Sequence, residues 1–144
     1  MEERNRTLAK RIIDDVFSRG HVEDLESLVT SEIIIHDTDK ELRGLEQVRQ
    51  GIINLRTAFP DLQYTIEELL TDGDKVVARC KGTGTHNGVF RNIPATGKKM
   101  SYRVIFIWRF MNDKLAEHWS VSDVYGMLQQ LGVIQLKVQG NANP

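Results

Sequence analysis

The sequence predicts one α+β domain in which helices pack against a mostly antiparallel sheet. Helix-period apolar stripes precede Pro60, strand-period patterns follow it as far as Ser122, and a short helical stripe ends the domain. A chain of 144 residues buries about two-thirds of the surface of its unfolded state, so one core is expected. We expect residues 1–136 to form this domain and residues 137–144 to be a flexible tail.

Helices are predicted in three places before Pro60. Residues 7–17 carry apolar side chains at helical spacing, and Gly20 is a helix-ending signal. Residues 22–29 form a shorter stripe that we interpret as a second helix. Residues 45–59 carry a longer stripe, which Pro60 ends because proline lacks a backbone donor and restricts the residue before it.

The remaining elements are strands and one short helix. A β-rich run, residues 32–37, lies between the second and third helices. Asp72-Gly73 is typical of a hairpin turn, and the polar stretch 111–114 predicts a second turn. The predicted strands around these turns are residues 62–70 and 75–85, then residues 98–110 and 115–122, and a helix over residues 124–131 ends at Gly132.

Bulk composition narrows the classes of partner. With 19 basic and 20 acidic residues the net charge is -1, so the positive field that attracts nucleic acid or anionic lipid is absent. We expect neither nucleic acid nor a membrane as a partner, since no apolar run reaches the ~20 residues that cross a bilayer. The single cysteine, Cys80, cannot form an internal disulfide, which favours a reducing, cytoplasmic location.

The predicted strand at residues 98–110 is apolar on both faces. Phe106 and Trp108 occupy one face, while Ile105 and Ile107 occupy the other. Helices cover one face of a sheet, so the second face needs a partner subunit or a curled sheet, and a curled sheet against helices leaves a cavity. We expect a homodimer formed through the outer face.

Three short motifs in a fixed order resemble a known family. They are Gly84-Thr85-His86, Ile93-Pro94-Ala95-Thr96-Gly97, and Glu117-His118-Trp119 followed by Asp123. With them, the chain resembles the SnoaL-like polyketide cyclases from about Arg11 to Gly132. The resemblance implies a cone-shaped α+β barrel with a pocket between a curved sheet and the helices. It also implies an enzyme that closes a ring by intramolecular aldol condensation, without metal or cofactor, using a pocket aspartate as general acid/base.

Asp123 matches that aspartate by its position after the His-Trp pair, although Ser120 and Ser122 differ from the acidic or bulky residues of the family pattern. An aldol closure needs a base for an acidic C–H and donors for the enolate oxygen, as in ketosteroid isomerase. Asp123 shares strand parity with Trp119, which predicts that both face the pocket. Asp123 also directly precedes a helical stripe, where aspartate is a favoured N-cap.

Two histidines are candidate catalytic partners of Asp123. His36 ends an isoleucine-rich strand and could donate to an oxyanion or pair with a carboxylate; a structural histidine bonded to backbone is the alternative. His118 has the opposite strand parity to Trp119, which predicts that it faces the dimer side.

The candidate substrate-binding residues are apolar or aromatic, with one cation. Core packing explains the same apolar pattern, and an ion pair with Glu117 or another acid is the alternative role for the cation. We expect a hydrophobic, carbonyl-bearing small molecule as the ligand. Isomerase, dehydratase or epoxide-hydrolase chemistry, or a non-catalytic dimeric binding module, are the alternatives. These candidates are Phe17, Ile52, Ile53, Tyr102, Arg103, Phe106 and Trp119.

Overall fold

The computed structural model describes residues 1–36 and 40–135. Helices and a six-stranded mixed sheet form an α+β fold, which confirms the predicted class. The predicted tail, residues 137–144, lies outside the described residues, as does the end of the predicted strand 32–37. In chain order the elements are α1 (Glu2–Arg11), a π-helical segment (Ile12–Ser18), a 3-10 turn (Val22–Asp24), α2 (Leu25–Leu28), β1 (Val29–His36), β2 (Glu41–Arg43), α3 (Leu45–Ala58), β3 (Gln63–Asp72), β4 (Lys75–Thr85), β5 (Lys99–Met111), β6 (Lys114–Ser122) and α4 (Val124–Gln130).

The first helical stretch is longer than its apolar stripe. Helix α1 begins at Glu2, five residues before Thr7, because its first turn is charged and mostly exposed and so contributes little apolar periodicity. Glu2 and Glu3 lie at the positive end of the helix dipole, where acidic side chains are favourable. After Arg11 the backbone widens into the π-helical segment, and Gly20, with φ 77°, follows it.

The predicted helix at residues 22–29 is wrong at its end. Helix α2 has only four residues, and Val29 is already the first residue of β1, where it pairs with Leu115 of β6. Val29 and Thr30 are β-branched, so strand pairing overrides the short helical stripe. The three-residue strand β2 was not predicted, because it is too short to show an alternating pattern.

Helix α3 and the last four strands lie close to their predicted bounds. Both predicted hairpins are present, and each turn uses residues that tolerate positive φ. Gly73 has φ 64° in the first turn, and Asn112 and Asp113 have φ 51° and 64° in the second. Left-handed residues match the twist of two-residue hairpins, which explains why these turn sequences were informative.

The sheet is open, with strand order β2-β1-β6-β5-β4-β3. Its neighbouring strands are antiparallel except β1 and β6, which run parallel. Among the described residues β2 and β3 form the two edges, so this sheet is not the closed barrel that the resemblance implied. In the same part of the chain, none of the helices combines the length and the apolar character that a membrane crossing requires.

Strand β5 separates the core from the outer face of the sheet. Its inner side chains, including Phe106 and Trp108, are buried under the helices, as the alternating pattern predicted. On the outer face Ile105 is 43% exposed and Ile107 is 37% exposed. The described chain therefore covers one face of this strand and leaves two isoleucines accessible on the other.

A glycine in β4 makes room for two tyrosines. Tyr64 and Tyr102 are both buried, and their hydroxyl groups form a hydrogen bond with each other. A Cβ atom at Gly82 would lie 2.7 Å from Tyr102 Cε1 and 2.8 Å from Tyr64 Cε1. Position 82 therefore requires glycine, because any side chain there would collide with both tyrosine rings.

Candidate functional site

A cavity of about 270 Å³ lies between α3, the π-helical segment and the inner face of β1, β5 and β6. Its walls are almost entirely aliphatic or aromatic, and five residues of the predicted helical stripes in α3 and the π-helical segment contribute to them: Ile12, Phe17, Val48, Ile52 and Leu55. The polar side chains among its lining residues are those of His36, Gln47, His118 and Ser120. No Asp, Glu, Lys or Arg within the described residues lines the cavity. A ligand body bound here would be neutral and apolar, because a buried charge without a partner is costly.

His118 reaches the cavity through the pairing of β6 with β5. His118 lies opposite Trp108, and Ser120 lies opposite Phe106, so both follow the buried face of β5. The predicted outward orientation of His118 was wrong. The prediction assumed that Trp119 and Asp123 face the pocket. Trp119 instead lies opposite Ile107 on the outer face, and Asp123 lies beyond the last residue of β6, where strand alternation no longer applies.

The hydrogen bonds of His118 use both ring nitrogens. The indole Nε1–H of Trp108 donates to His118 Nδ1 at 2.7 Å, and Nε2 lies 3.3 Å from the Ser120 hydroxyl oxygen. Burial lowers the pKa of His118 to about 4, and the nearby charge of His36 adds to this effect. His118 is therefore a neutral imidazole at physiological pH.

His36 of β1 is paired in the sheet with Trp119 of β6. The two rings stack at 4.7 Å between centroids and 5° between planes. His36 Nε2 lies 2.7 Å from Glu117 Oε2, and Arg109 Nε donates to Glu117 Oε1 at 2.8 Å. The hydrogen bond from Arg109 is the main cause of a lowered pKa of Glu117, and the bond to His36 lowers this pKa further. Glu117 and Arg109 lie on the outer face of the sheet, and His36, at the end of β1, contacts Glu117 and also lines the cavity.

Asp123 is the N-cap of α4. Its Oδ1 accepts a hydrogen bond from the backbone N–H of Gly126 at 2.9 Å, which is the capping role that its position also predicted. The residue is exposed and is not among the residues that line the cavity. Its role as general base stays a prediction from the family pattern.

The predicted substrate-binding residues separate into three groups. Phe17 and Ile52 line the cavity, whereas Ile53, the next residue of α3, is 38% exposed. Tyr102 and Phe106 are buried but are not cavity-lining residues. A ring contact joins the cavity-lining residues to the buried ones, since the ring centroids of Phe17 and Phe106 lie 5.5 Å apart.

Arg103 and Trp119 form the third group, on the outer face. Arg103 Nε donates to Glu67 Oε1 at 2.9 Å, so its ion-pair partner is Glu67 and not the Glu117 considered from the sequence. That bond lowers the pKa of Glu67. Neither Arg103 nor Trp119 is among the residues that line the cavity.

Ser120 and Gln47 were not selected as site residues from the sequence. Ser120 could have been found by following the alternation from Trp108 through the hairpin, but only once the register of β5 and β6 is known. Within residues 1–36 and 40–135, no three His, Cys, Asp or Glu side chains come together in a way that would hold a metal ion. A site free of metal and cofactor stays a prediction.

Comparison with known proteins identifies the family. The model of the SnoaL-like polyketide cyclases matches residues 7–131. This chain belongs to that family. Two curated relatives are aklanonic acid methyl ester cyclases: DnrD from Streptomyces peucetius, and DauD from Streptomyces sp. strain C5. DnrD is 27% identical over 129 residues, which cover 87% of this chain and 88% of DnrD. DauD is 27% identical over 130 residues, which cover 87% of this chain and 80% of DauD.

Solved structures give the same fold. TsrD from Streptomyces laurentii superimposes with a TM-score of 0.85 at 27% sequence identity, covering 93% of this chain and 98% of TsrD. The match spans the helices and the sheet described above. Family membership supports cyclase-type function at the level of the family and binding of a small-molecule substrate.

Proposed function

We propose that this protein is a cofactor-independent acid/base enzyme of the polyketide-cyclase type that closes a ring in a hydrophobic, carbonyl-bearing small molecule. The observation that carries this proposal is the cavity beside α3. In a member of the SnoaL-like family, it combines apolar walls with a polar pair, His118 and Ser120, on one side. Such a combination of an apolar container and a few convergent polar groups is typical of small-molecule sites.

The proposed reaction is an intramolecular aldol addition. A base removes the proton from a carbon next to one carbonyl, and the resulting enolate carbon attacks a second carbonyl of the same molecule. One carbon–carbon bond forms, and the oxygen of the attacked carbonyl takes up the proton, so the product is an isomer of the substrate. No oxidant, reductant or cofactor is consumed. The protein has to supply a base and hydrogen-bond donors for the oxygens.

We assign the base to Asp123, which the family pattern suggests, and the assisting roles to His36 and His118. His36 and His118 both line the cavity, and a hydrogen bond from Trp108 holds the ring of His118 there. For Asp123 to act as base, its carboxylate has to turn from the N–H of Gly126 toward the cavity. This assignment makes the junction between β6 and α4 part of the site.

The first experiment is a turnover assay with aklanonic acid methyl ester, the compound named for the curated relatives. A ring-closed isomer should be separated chromatographically from the substrate and identified by its proton NMR spectrum. Asp123→Asn keeps an N-cap side chain but removes the base, so kcat should fall by ~10²-fold or more. Asp113→Asn, which changes another exposed aspartate, is the control. Unchanged kcat in Asp123→Asn would remove Asp123 from the mechanism.

A non-catalytic binding module is the second candidate function. It is favoured by one observation: Asp123 caps α4, and no carboxylate within the described residues lines the cavity. Such a protein would bind the methyl ester unchanged, with equal affinity in the wild type and in Asp123→Asn. Calorimetric binding without a ring-closed product over long incubation would support this candidate against the enzyme.

We also propose a homodimer through the outer face of β5 and β6. Three apolar side chains are exposed there, Ile105, Ile107 and Val121, the last of them 78% exposed. Neighbouring apolar side chains on one face are typical of an interaction surface. Val121→Arg should shift the protein from dimer to monomer in sedimentation velocity at micromolar concentration. A wild-type protein that sediments as a monomer under these conditions would contradict the proposed dimer.

A further inference from the structure

The bond between Trp108 and His118 fixes where the imidazole proton lies. Trp108 is completely buried, and an indole nitrogen is a donor only. Its Nε1–H points at His118 Nδ1 at 2.7 Å, so Nδ1 has to offer a lone pair. A neutral imidazole carries one proton, and that proton is therefore on Nε2.

The protonated nitrogen points at Ser120. His118 Nε2 lies 3.3 Å from Ser120 Oγ, and both residues line the cavity. The hydroxyl oxygen of Ser120 can accept this N–H and still has its own proton to donate. Ser120 is also exposed, so its hydroxyl lies where the cavity meets solvent. Trp108 therefore donates to His118, and His118 donates to Ser120.

We propose that Trp108 is a positioning residue that holds His118 in the neutral Nε2–H form. When a carbonyl or enolate oxygen of the substrate replaces the Ser120 oxygen as the acceptor of this N–H, the Ser120 hydroxyl donates its own proton to the same oxygen. The inference rests on the proposed function and deepens it. It assigns His118 the task of stabilising an oxyanion rather than removing a proton. A base needs a free lone pair, and in this arrangement Nδ1 already accepts from Trp108 while Nε2 carries the proton.

The surroundings of His118 keep it neutral over the physiological range. Burial is the main cause of its low pKa, and the charge of His36 on β1 acts in the same direction. The acid and the arginine nearest to this region, Glu117 and Arg109, bond to each other on the opposite face of the sheet. A neutral imidazole polarises a carbonyl without carrying a charge into the apolar cavity, as the neutral histidine of triosephosphate isomerase does.

The first test measures the tautomer directly and needs no turnover. In protein labelled with ¹⁵N-histidine, the two ring nitrogens of His118 are assigned by comparison with His118→Phe. We expect a protonated Nε2 and an unprotonated Nδ1, unchanged from about pH 6 to about pH 8. A proton on Nδ1, or an imidazolium at neutral pH, would overturn the proposal.

The positioning role of Trp108 is tested with an isosteric replacement. A 3-benzothienylalanine at position 108 has sulfur in place of the indole N–H and keeps the ring shape. We expect the Nδ1–H form of His118 to become populated in this variant. Trp108→Phe provides a second variant, and Phe110→Leu, a buried change on the same face of β5, is the packing control. An unchanged single tautomer in both Trp108 variants would show that Trp108 has only a packing role.

The donor role of His118 is tested with a bound ketone. The probe is 2-acetonaphthone, whose carbonyl stretching frequency falls when the oxygen accepts a hydrogen bond. We expect the carbonyl frequency of the bound ketone to be lowered in the wild type and in His118→Gln. In His118→Phe we expect no lowering. Glutamine can accept from Trp108 and donate into the cavity, but it cannot act as a base.

The outcomes separate this inference from the function on which it rests. A ketone that binds with the same carbonyl frequency in the wild type and in His118→Phe would contradict the donor assignment alone. A wild-type protein that binds no ketone, while the tautomer is as expected, would contradict the carbonyl site and with it the proposed function.

Discussion

The two faces of β6 give neighbouring side chains opposite electrostatic surroundings. On the inner face, His118 is half-buried beside Trp108 at an apolar cavity, and loss of solvation lowers its pKa to about 4. On the outer face, the next residue toward the strand start, Glu117, bonds to both Arg109 and His36. Loss of solvation thus keeps His118 neutral, while the bonds from Arg109 and His36 keep Glu117, one residue away, ionised.

This contrast shows that strand alternation sets chemistry as well as packing. Moving one residue along β6 changes the environment from a desolvated cavity to an ion-paired surface. Desolvation favours the neutral form of His118, whereas hydrogen bonds from cations favour the charged form of Glu117, so the face decides which effect dominates. Residue type alone does not distinguish the two histidines.

The largest expected effect is on turnover, and it tests the inner face. His118→Phe removes a donor aimed at the developing oxyanion, and loss of one such donor costs ~10²–10³ in kcat. Initial rates with aklanonic acid methyl ester measure this loss. Val121→Ala, on the outer face of the same strand, is the matched control and should keep the wild-type kcat. An equal loss in both variants would mean that the two faces do not differ in function.

The second prediction concerns the pH dependence of stability. The pKa of His118 is lowered from 6.5 to about 4 on folding, so the unfolded state binds more protons between these values and stability falls as pH decreases from 6.5 toward 4. The shift corresponds to about 3 kcal/mol at the acid end. Urea unfolding at a series of pH values should show this loss in the wild type. In His118→Phe this component should be missing, and an unchanged acid dependence would contradict the burial of His118.

The third prediction concerns the N-cap of α4, at the end of β6. Asp123→Ala removes the acceptor for the Gly126 N–H and should cost about 1 kcal/mol in the free energy of unfolding. Asp123→Asn should cost much less, since asparagine also caps helices well. Equal destabilisation by both substitutions would show that the charge of Asp123, rather than its capping bond, is what stabilises the junction.

The smallest expected effect tests the outer face. Glu117→Gln weakens the bonds to Arg109 and His36 and should cost about 1 kcal/mol or less at neutral pH, because the cluster is partly exposed to solvent. The pKa of Glu117 is lowered on folding, so its contribution is present above 4.5 and is lost as pH falls below that value. The difference between wild type and Glu117→Gln should therefore vanish in acid. A difference that grows in acid would contradict the ion pairing.

Much of the fold could be predicted because its signals are local. The stripe of α3 and the two hairpins were placed within a few residues, since periodicity and turn residues are read from neighbouring positions. The start of β1 and the strand β2 could not be placed in this way. Both depend on pairing with distant segments: Val29 pairs with Leu115, and β2 pairs with β1.

The candidate site was predicted less completely than the fold. Phe17, Ile52, His36 and His118 were selected from the sequence and line the cavity, but the side of the sheet assigned to His118 was wrong. Ser120 was not selected, although it lies beside His118 at the cavity. Its orientation follows from the register of β6 against β5 and not from any property of serine.

By itself, the sequence determined the α+β class, the helices and hairpins with strong periodicity, the near-zero net charge and the likeness to the SnoaL-like cyclases. Only the tertiary structure decided which residues of β6 face the cavity and that Trp108 bonds to His118. The reason is physical: periodicity and turn preferences act between neighbours in the chain, whereas facing, burial and hydrogen bonding depend on segments that meet only in the folded sheet.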